Sequence, residues 1–229
     1  MHDGDIVAVI GAGPGLGRAV ATAFAGRGDQ VILLARDARR LAGLAATVRS
    51  GSGGEVGAVS ADASDEVALR AAFTEIRDRY GEPTVLVHNP SIAVEAPPTQ
   101  TTQAALIDGV RLAAGSLLVA AQEVAPAMRR AQRGTILVTG NASALTGSTW
   151  SAALAVQKAA VRNLTFSLAA ELGPDGVHVV TVTIDGVLGT EGFEPDRIAA
   201  EYVRQHEATD GPKRAWRREL MWGSAAAGG

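Results

Sequence analysis

The stretch GAGPGLG at Gly11–Gly17 lies between the apolar run DIVAVI and the helix-like run RAVATAFAGR, the setting in which a phosphate is cradled between strand and helix. Gly11 permits a tight turn, while Gly15 and Gly17 let phosphate and sheet approach the new helix closely. The helix that opens at Leu16 presents free amides and a positive end to a pyrophosphate. Gly13 adds a further candidate contact, whereas Pro14 presets one turn dihedral and donates no amide. An ordinary glycine-rich turn is the bland alternative. At the end of the second apolar run, Ala35-Arg36 offers a cation and no carboxylate. Arg36 would match an adenosine 2′-phosphate through a charge-assisted contact, whereas an aspartate at position 35 would have favoured a free ribose hydroxyl. The residues therefore lean towards NADP(H), with NAD(H) the less favoured cofactor. The alternative is that Arg36, like Arg39 and Arg40, is solvated at a helix start.

The elements that must position these groups alternate along the chain. Ile6–Ile10 reads as a strand, Leu16–Arg27 as a helix and Gln30–Ala35 as an almost wholly apolar strand covered on both faces. Asp37 can cap a helix running to Arg49, and Gly51–Gly54 breaks the chain before a strand at Glu55–Ser60. Ser64 then precedes an amphipathic stretch ending near Tyr80. Thr84–His88 gives another buried strand, Thr101–Arg130 a mostly helical segment with an interruption, and Thr135–Thr139 the next strand. A helix at Ser151–Leu172, a strand at Val177–Ile184, a helix at Asp196–His206 and a short strand at Arg218–Trp222 follow. No second-domain boundary emerges, so residues 1–229 are expected to form one domain, with a frayed Ala/Gly-rich tail at Gly223–Gly229.

With 229 residues and 47% apolar composition, such a domain buries about 70% of the surface of its unfolded chain. A net charge of −3 with both signs scattered leaves no basic field for nucleic acid or an anionic membrane. Cysteine is absent, which removes disulfides, thiolate metal sites and a cysteine nucleophile. No uninterrupted apolar run reaches the roughly 18 residues of a membrane span, and the acidic start MHDGD is unlike a signal peptide. A cytoplasmic location is expected. The histidines at 2, 88, 178 and 206 lack metal-site spacing, so no catalytic metal is expected.

The glycine spacing Gly-x-x-x-Gly-x-Gly resembles that of the short-chain dehydrogenase/reductase family, and the resemblance extends over nearly the whole chain. It implies a three-layer Rossmann fold with a doubly wound, mostly parallel seven-stranded sheet in the order 3-2-1-4-5-6-7. Asp62, in Ser60–Asp62 and followed by Ala63, resembles the strand-end aspartate that contacts adenine, with a helix-cap acid as the alternative. His88-Asn89-Pro90-Ser91 occupies the place of the family's Asn-Asn-Ala-Gly segment beside the cofactor, and Asn89 matches it. His88 either satisfies a local core hydrogen bond or faces the cleft. Ile184–Thr190 resembles the segment that reaches nicotinamide, implying contacts from Gly186, Val187 and Thr190, although Asp185 replaces its proline. The short connection to Pro195 leaves little chain for a substrate lid.

In the family a Tyr-x-x-x-Lys pair sits one helical turn apart, so that lysine binds nicotinamide ribose and lowers the phenol pKa. Here Lys158 matches the lysine, Leu154 stands at the tyrosine, and Asn141 stands where the loop GTILVTGNASALTG would carry serine. The family's helical asparagine falls near Ala113, where none appears. Asn141 can donate to a carbonyl or developing oxyanion, but Leu154 can neither give nor take a proton. Tyr80 and Tyr202 are no obvious substitutes. Thr139, Ser143, Ser148 and Ser151 surround the expected cleft mouth, where small hydroxyls more often serve turns and caps. Core packing is expected of Trp150, Trp216 and Trp222. The leading expectation is an atypical NADP(H)-dependent oxidoreductase acting on a small carbonyl, alcohol or activated alkene, with Lys158 and Asn141 at the reacting end. A noncatalytic nucleotide-sensing or partner-binding protein is the alternative, and a nonredox lyase or isomerase a third. The resemblance also implies a homodimer or homotetramer assembled through the long helices, acting on a small molecule and on neither nucleic acid nor membrane.

Overall fold

Near-continuous Val, Ile and Leu make Gln30–Ala35 a strand with both faces covered, and the same composition recurs through the centre of the protein. The computed structural model describes residues 4–210 and 216–223. Its sheet contains β1 (Ile6–Ile10), β2 (Gln30–Ala35), β3 (Val56–Ser60), β4 (Val85–His88), β5 (Gly134–Asn141), β6 (Val177–Asp185) and β7 (Glu219–Gly223). The order is β3-β2-β1-β4-β5-β6-β7, and every neighbouring pair is parallel. One face is covered by α1 (Leu16–Ala25), α2 (Ala38–Ser52) and α8 (Pro195–Glu207), which bury Phe24, Val48 and Tyr202 against Val7 and Val9. The other carries α3 (Glu66–Tyr80), α4 (Gln103–Val110), α5 (Ser116–Ala131) and α7 (Ala152–Leu172), which bury Phe73, Leu117 and Val161 against Ala8 and Ile10. A single turn, α6 (Ser143–Thr146), lies between β5 and α7.

The winding fixes where a ligand can sit. β1 pairs with β2 on one side and with β4 on the other, so successive crossovers leave in opposite directions and open a crevice at the carboxyl ends of these strands. The glycine loop, the Asn89 segment and the loops after β5 and β6 all emerge at that end.

Local chemistry explains the element ends. Asp37 accepts from Arg40 N at 2.9 Å and starts α2 as expected. Asp65 caps α3, its Oδ1 accepting from Val67 N and Ala68 N, while the Ser64 hydroxyl donates to Asp62 Oδ1 at 2.7 Å. Thr102 caps α4 through Ala105 N, and the expected interruption is a π-helical turn at Arg111–Gly115. The Ser116 hydroxyl bonds back to Leu112 O there and also meets His88 Nε2 at 2.8 Å. Arg162 on α7 grips Glu219 at 2.6 and 2.8 Å, which anchors β7. Gly223 closes that strand instead of beginning a frayed tail, and 224–229 lie outside the described residues.

The α4–α5 segment, Gln103–Ala131, is long and apolar enough by composition to cross a bilayer, although Asp108, Arg111 and Glu123 interrupt it. Here Leu117, Ala120, Val124 and Met128 pack into the core beneath the sheet.

Candidate functional site

Gly11 closes β1 with φ +74°, and its amide and that of Ala12 both donate to Leu34 O, at 3.1 and 3.2 Å. Asn89 Nδ2 donates to Gly11 O at 3.0 Å, which ties the turn to the end of β4. A Cβ on Gly11 would lie 2.7 Å from Pro90 N, so that position requires glycine, and one on Gly17 would lie 3.1 Å from Ala12 Cα, a tight approach that glycine relieves. Gly13 and Gly15 differ, because a Cβ on either would meet nothing within 4 Å. That open space adjoins the start of α1, which has no side-chain cap and no acidic residue in its first turn. Uncapped amides beside an open glycine cradle fit a dinucleotide pyrophosphate.

At the β2 and β3 ends, a cavity of about 310 Å³ is lined by Ala35, Arg36, Ala61, Ala63, Asn89 and Leu112. Arg36 is 72% exposed and lies 4.0 Å from Asp62 Oδ2. Asp62 itself does not line the cavity. Its Oδ1 accepts from Ser64 N and Oγ, which together with nearby Arg36 hold the carboxyl below its usual range despite partial burial. A neighbouring hollow of about 770 Å³ brings Arg18 and Arg40 to the same side as Arg36. Sequence reasoning assigned no ligand role to Arg18 or Arg40. Their convergence depends on α1 and α2 lying side by side.

At the β5 and β6 ends, a cavity of about 290 Å³ is lined by Gly15, Gly17, Asn141, Leu154, Lys158 and Leu188, among others. Lys158, 4% exposed, donates from Nζ to Thr139 O at 2.8 Å, and burial pushes its ammonium down to about 8. Leu154 occupies the cavity wall one turn earlier on α7, where Ser151 Oγ caps the helix through Leu154 N. Asn141 Oδ1 accepts from Ser143 N at 2.9 Å, which leaves the Nδ2 group as its donor. The Ser143 hydroxyl is buried without a partner. Ser148 and Ser151 serve the chain, accepting backbone amides at the start of α7.

Tyr202 reaches this region from behind the sheet. Its hydroxyl meets Thr139 Oγ1 at 2.7 Å, while Thr139 Oγ1 donates to Asn89 Oδ1 at 2.9 Å, so the phenol is the donor to Thr139. Tyr202 is fully buried among α8 and the β5 and β6 strands, and burial pushes its hydroxyl above the usual range. Thr139 thus joins Tyr202 on one face to Lys158 on the other. Nothing in the sequence signals this link, which spans 63 residues.

His88 is buried against Ser116, and burial, reinforced by the Lys158 ammonium, lowers it to about 3. It serves the core hydrogen-bond role and not the cleft. Beyond β6, Gly186 and Leu188 line the cavity, whereas Val187 and Thr190 are exposed and Thr190 Oγ1 donates to Val187 O at 2.8 Å. A Cβ on Gly186 would lie 2.1 Å from the Phe193 ring. Trp222 packs beside the second core and donates to Gly192 O, and Trp216 stacks on His178. Trp150 departs from the expected core role, being 54% exposed.

A family model described as short chain dehydrogenase matches residues 5–199. The BbsC subunit of a hydroxy(phenyl)methylsuccinyl-CoA dehydrogenase from Thauera aromatica is 33% identical over 186 residues, covering 81% of this chain and 73% of that one. Meso-2,3-butanediol dehydrogenase of Serratia marcescens is 30% identical, covering 79% of this chain and 70% of that one. A short-chain dehydrogenase from Rhodopseudomonas palustris superposes with a TM-score of 0.84 at 30% identity, covering 96% of this chain and 98% of the other. The L-sorbose reductase of Gluconobacter frateurii, solved with NADPH and L-sorbose, shares the fold at 20% identity with a TM-score of 0.85, covering 96% of each chain. On its sheet order, its glycine turn and these matches, the chain belongs to the short-chain dehydrogenase family.

Proposed function

We propose that this protein is an NADP(H)-dependent oxidoreductase that moves hydride to or from a small organic carbonyl, alcohol or activated alkene, with its catalytic set reduced to Asn141 and Lys158. The observation that carries this reading is the shared cavity in which Asn141, Leu154 and Lys158 face the glycine cradle of Gly15 and Gly17. The start of α1 with Gly13, Gly15 and Leu16 would hold a pyrophosphate, and Arg36, with Arg40 and Arg18 near at hand, would hold a 2′-phosphate. Ala63 would flank adenine with Asp62 just outside the cavity, Asn89 holds the glycine turn in place, and Gly186 would border nicotinamide, whereas Val187 and Thr190 lie outside that cavity. When bound, the nicotinamide supplies or accepts hydride at the carbon facing the substrate.

The residues of the chain do the rest. Lys158 has a single hydrogen-bond acceptor, Thr139 O, so its remaining N–H groups are available to the ribose hydroxyls. Its ammonium, lowered to about 8, can also hold or release a proton near neutral pH. Asn141 polarises the substrate oxygen through Nδ2. Leu154 exchanges no proton, so water or the substrate completes proton transfer. The structural neighbour solved with NADPH supports the choice of cofactor.

Calorimetric titration with NADPH and NADH, followed by NADPH oxidation across carbonyls and activated alkenes, tests the reading. Selective NADPH binding with turnover that falls in Lys158→Met and Asn141→Ala supports it. Leu154 favours one second reading, a noncatalytic nucleotide sensor, which saturable NADPH binding without oxidation of any substrate would establish.

A further inference from the structure

Five of the nine large apolar side chains that stay exposed among the described residues lie on connections at one end of the sheet. Ile92 lies on the β4–α4 connection, Leu145 and Trp150 on the β5–α7 connection, and Val187 and Leu188 on the β6–α8 connection, all between 43% and 69% exposed. These connections all leave the carboxyl end of the sheet. Two of them are fastened together: Ala96 N donates to Trp150 O at 3.0 Å, Ser151 Oγ donates to Val94 O at 2.7 Å, and Gln157 holds both Ile92 N and Ile92 O. The third reaches inward, because Leu188 lines the same cavity as Leu154 and Lys158. An apolar rim therefore continues into the reacting end of the cleft.

The charge on these connections is one-sided. Residues 89–102, 141–151 and 185–194 contain no Lys, Arg or His, but they carry Glu95, Asp185, Glu191 and Glu194. Among the described residues Lys158 is the one cation lining the cavity, and it already donates to Thr139 O. A carboxylate or phosphate on the substrate would find no counter-charge at the rim and several like charges. The hydroxyls of Ser148, Ser151 and Thr190 are engaged with the backbone, which leaves Ser91, Asn141 Nδ2 and the Ser143 hydroxyl as the polar groups beside the rim.

We infer that the rim formed by Ile92, Leu145, Trp150, Val187 and Leu188 receives an uncharged apolar group of the substrate, an aryl or branched alkyl group carried beside the reacting carbonyl or alcohol. This rests on the proposed oxidoreductase function for the identity of the occupant. Binding of propiophenone, dihydroxyacetone and pyruvate to the NADPH complex, read by calorimetry and by quenching of Trp150 fluorescence, tests it. Propiophenone is expected to bind about tenfold or more tighter than the other two, as burial of a phenyl group allows. Leu145→Glu and Trp150→Ser, both outside the cavity that holds Lys158 and the glycine cradle, are expected to weaken propiophenone about tenfold and to leave NADPH affinity unchanged. Equal affinity for the three compounds, or variants that bind propiophenone like the parent, overturns the assignment. So does a dimer in light scattering that Trp150→Ser converts to monomer, since a second copy would then cover the rim. Absence of NADPH binding overturns the cofactor reading instead, and propiophenone titration of the free protein still decides the rim.

Discussion

Lys158 sets the pH range of the site. It is buried with one backbone acceptor, and its ammonium is lowered to about 8, so the cationic form is lost as pH rises through that value. With Lys158 as the proposed ribose ligand, kcat/KM for NADPH-dependent turnover should fall above about pH 8, and Lys158→Met should flatten that limb while lowering the plateau. A pH series of initial rates checks this. Leu154 leaves a specific gap, since the cavity it lines has room and Lys158 lies one turn away. Leu154→Tyr should raise carbonyl reduction by about 100-fold, the usual scale of a positioned general acid. Arg36 is exposed and meets only a 4.0 Å carboxylate, so its removal should cost the fold little. Arg36→Ala should weaken NADPH about tenfold and leave NADH unchanged, as loss of a charge-assisted contact to the 2′-phosphate requires.

The elements are joined by buried polar pairs that give the fold its response to acid. Asp5, just before β1, accepts from His206 Nε2 on α8 at 3.0 Å and from Thr84 Oγ1 at 2.7 Å, with Arg133 at 3.2 Å. The His206 bond is the largest influence holding its carboxyl near 2, against 3.8 when exposed; Thr84 and Arg133 contribute and burial opposes. Its folded value is the lower, so this stabilisation is complete above pH 3.8 and is lost as pH falls towards about 2, amounting to about 2 kcal/mol. His88 acts earlier on the same descent. Burial and Lys158 hold it near 3 against an unfolded 6.5, so the unfolded chain takes up a proton first and stability declines as pH falls from 6.5 towards 3. Urea midpoints measured from pH 7 to pH 2 should therefore fall in two stages. Asp5→Asn should remove the lower stage and cost about 2 kcal/mol at neutral pH.

Apart from Val67 on α3, the exposed large apolar side chains among the described residues fall into two groups. One group is the rim of the cleft. The other comprises Ile107 on α4, Leu118 on α5 and Val156 on α7, between 42% and 44% exposed, on the long helices expected to join subunits. We expect a homodimer or homotetramer formed through that face, visible by light scattering at micromolar concentration. Leu118→Glu should shift it towards monomer without changing NADPH affinity, because the cleft lies at the strand ends and not on the helix faces.

The alternation of apolar strands and amphipathic helices, with glycines at 11, 15 and 17, determined the layered fold and the phosphate end of the site, because both are written in local periodicity and in backbone freedom. The same reading placed Leu154 and Lys158 one turn apart, since helical spacing is a local property. What lay beyond it depended on distant segments meeting. Thr190 turned out to face its own loop while Leu188 faced the cavity. Tyr202 met Thr139 behind the sheet, Arg18 and Arg40 converged with Arg36, and Trp150 came to the rim and not the core. Those arrangements follow from which helices pack side by side and where their connections cross, and only the tertiary structure decided them.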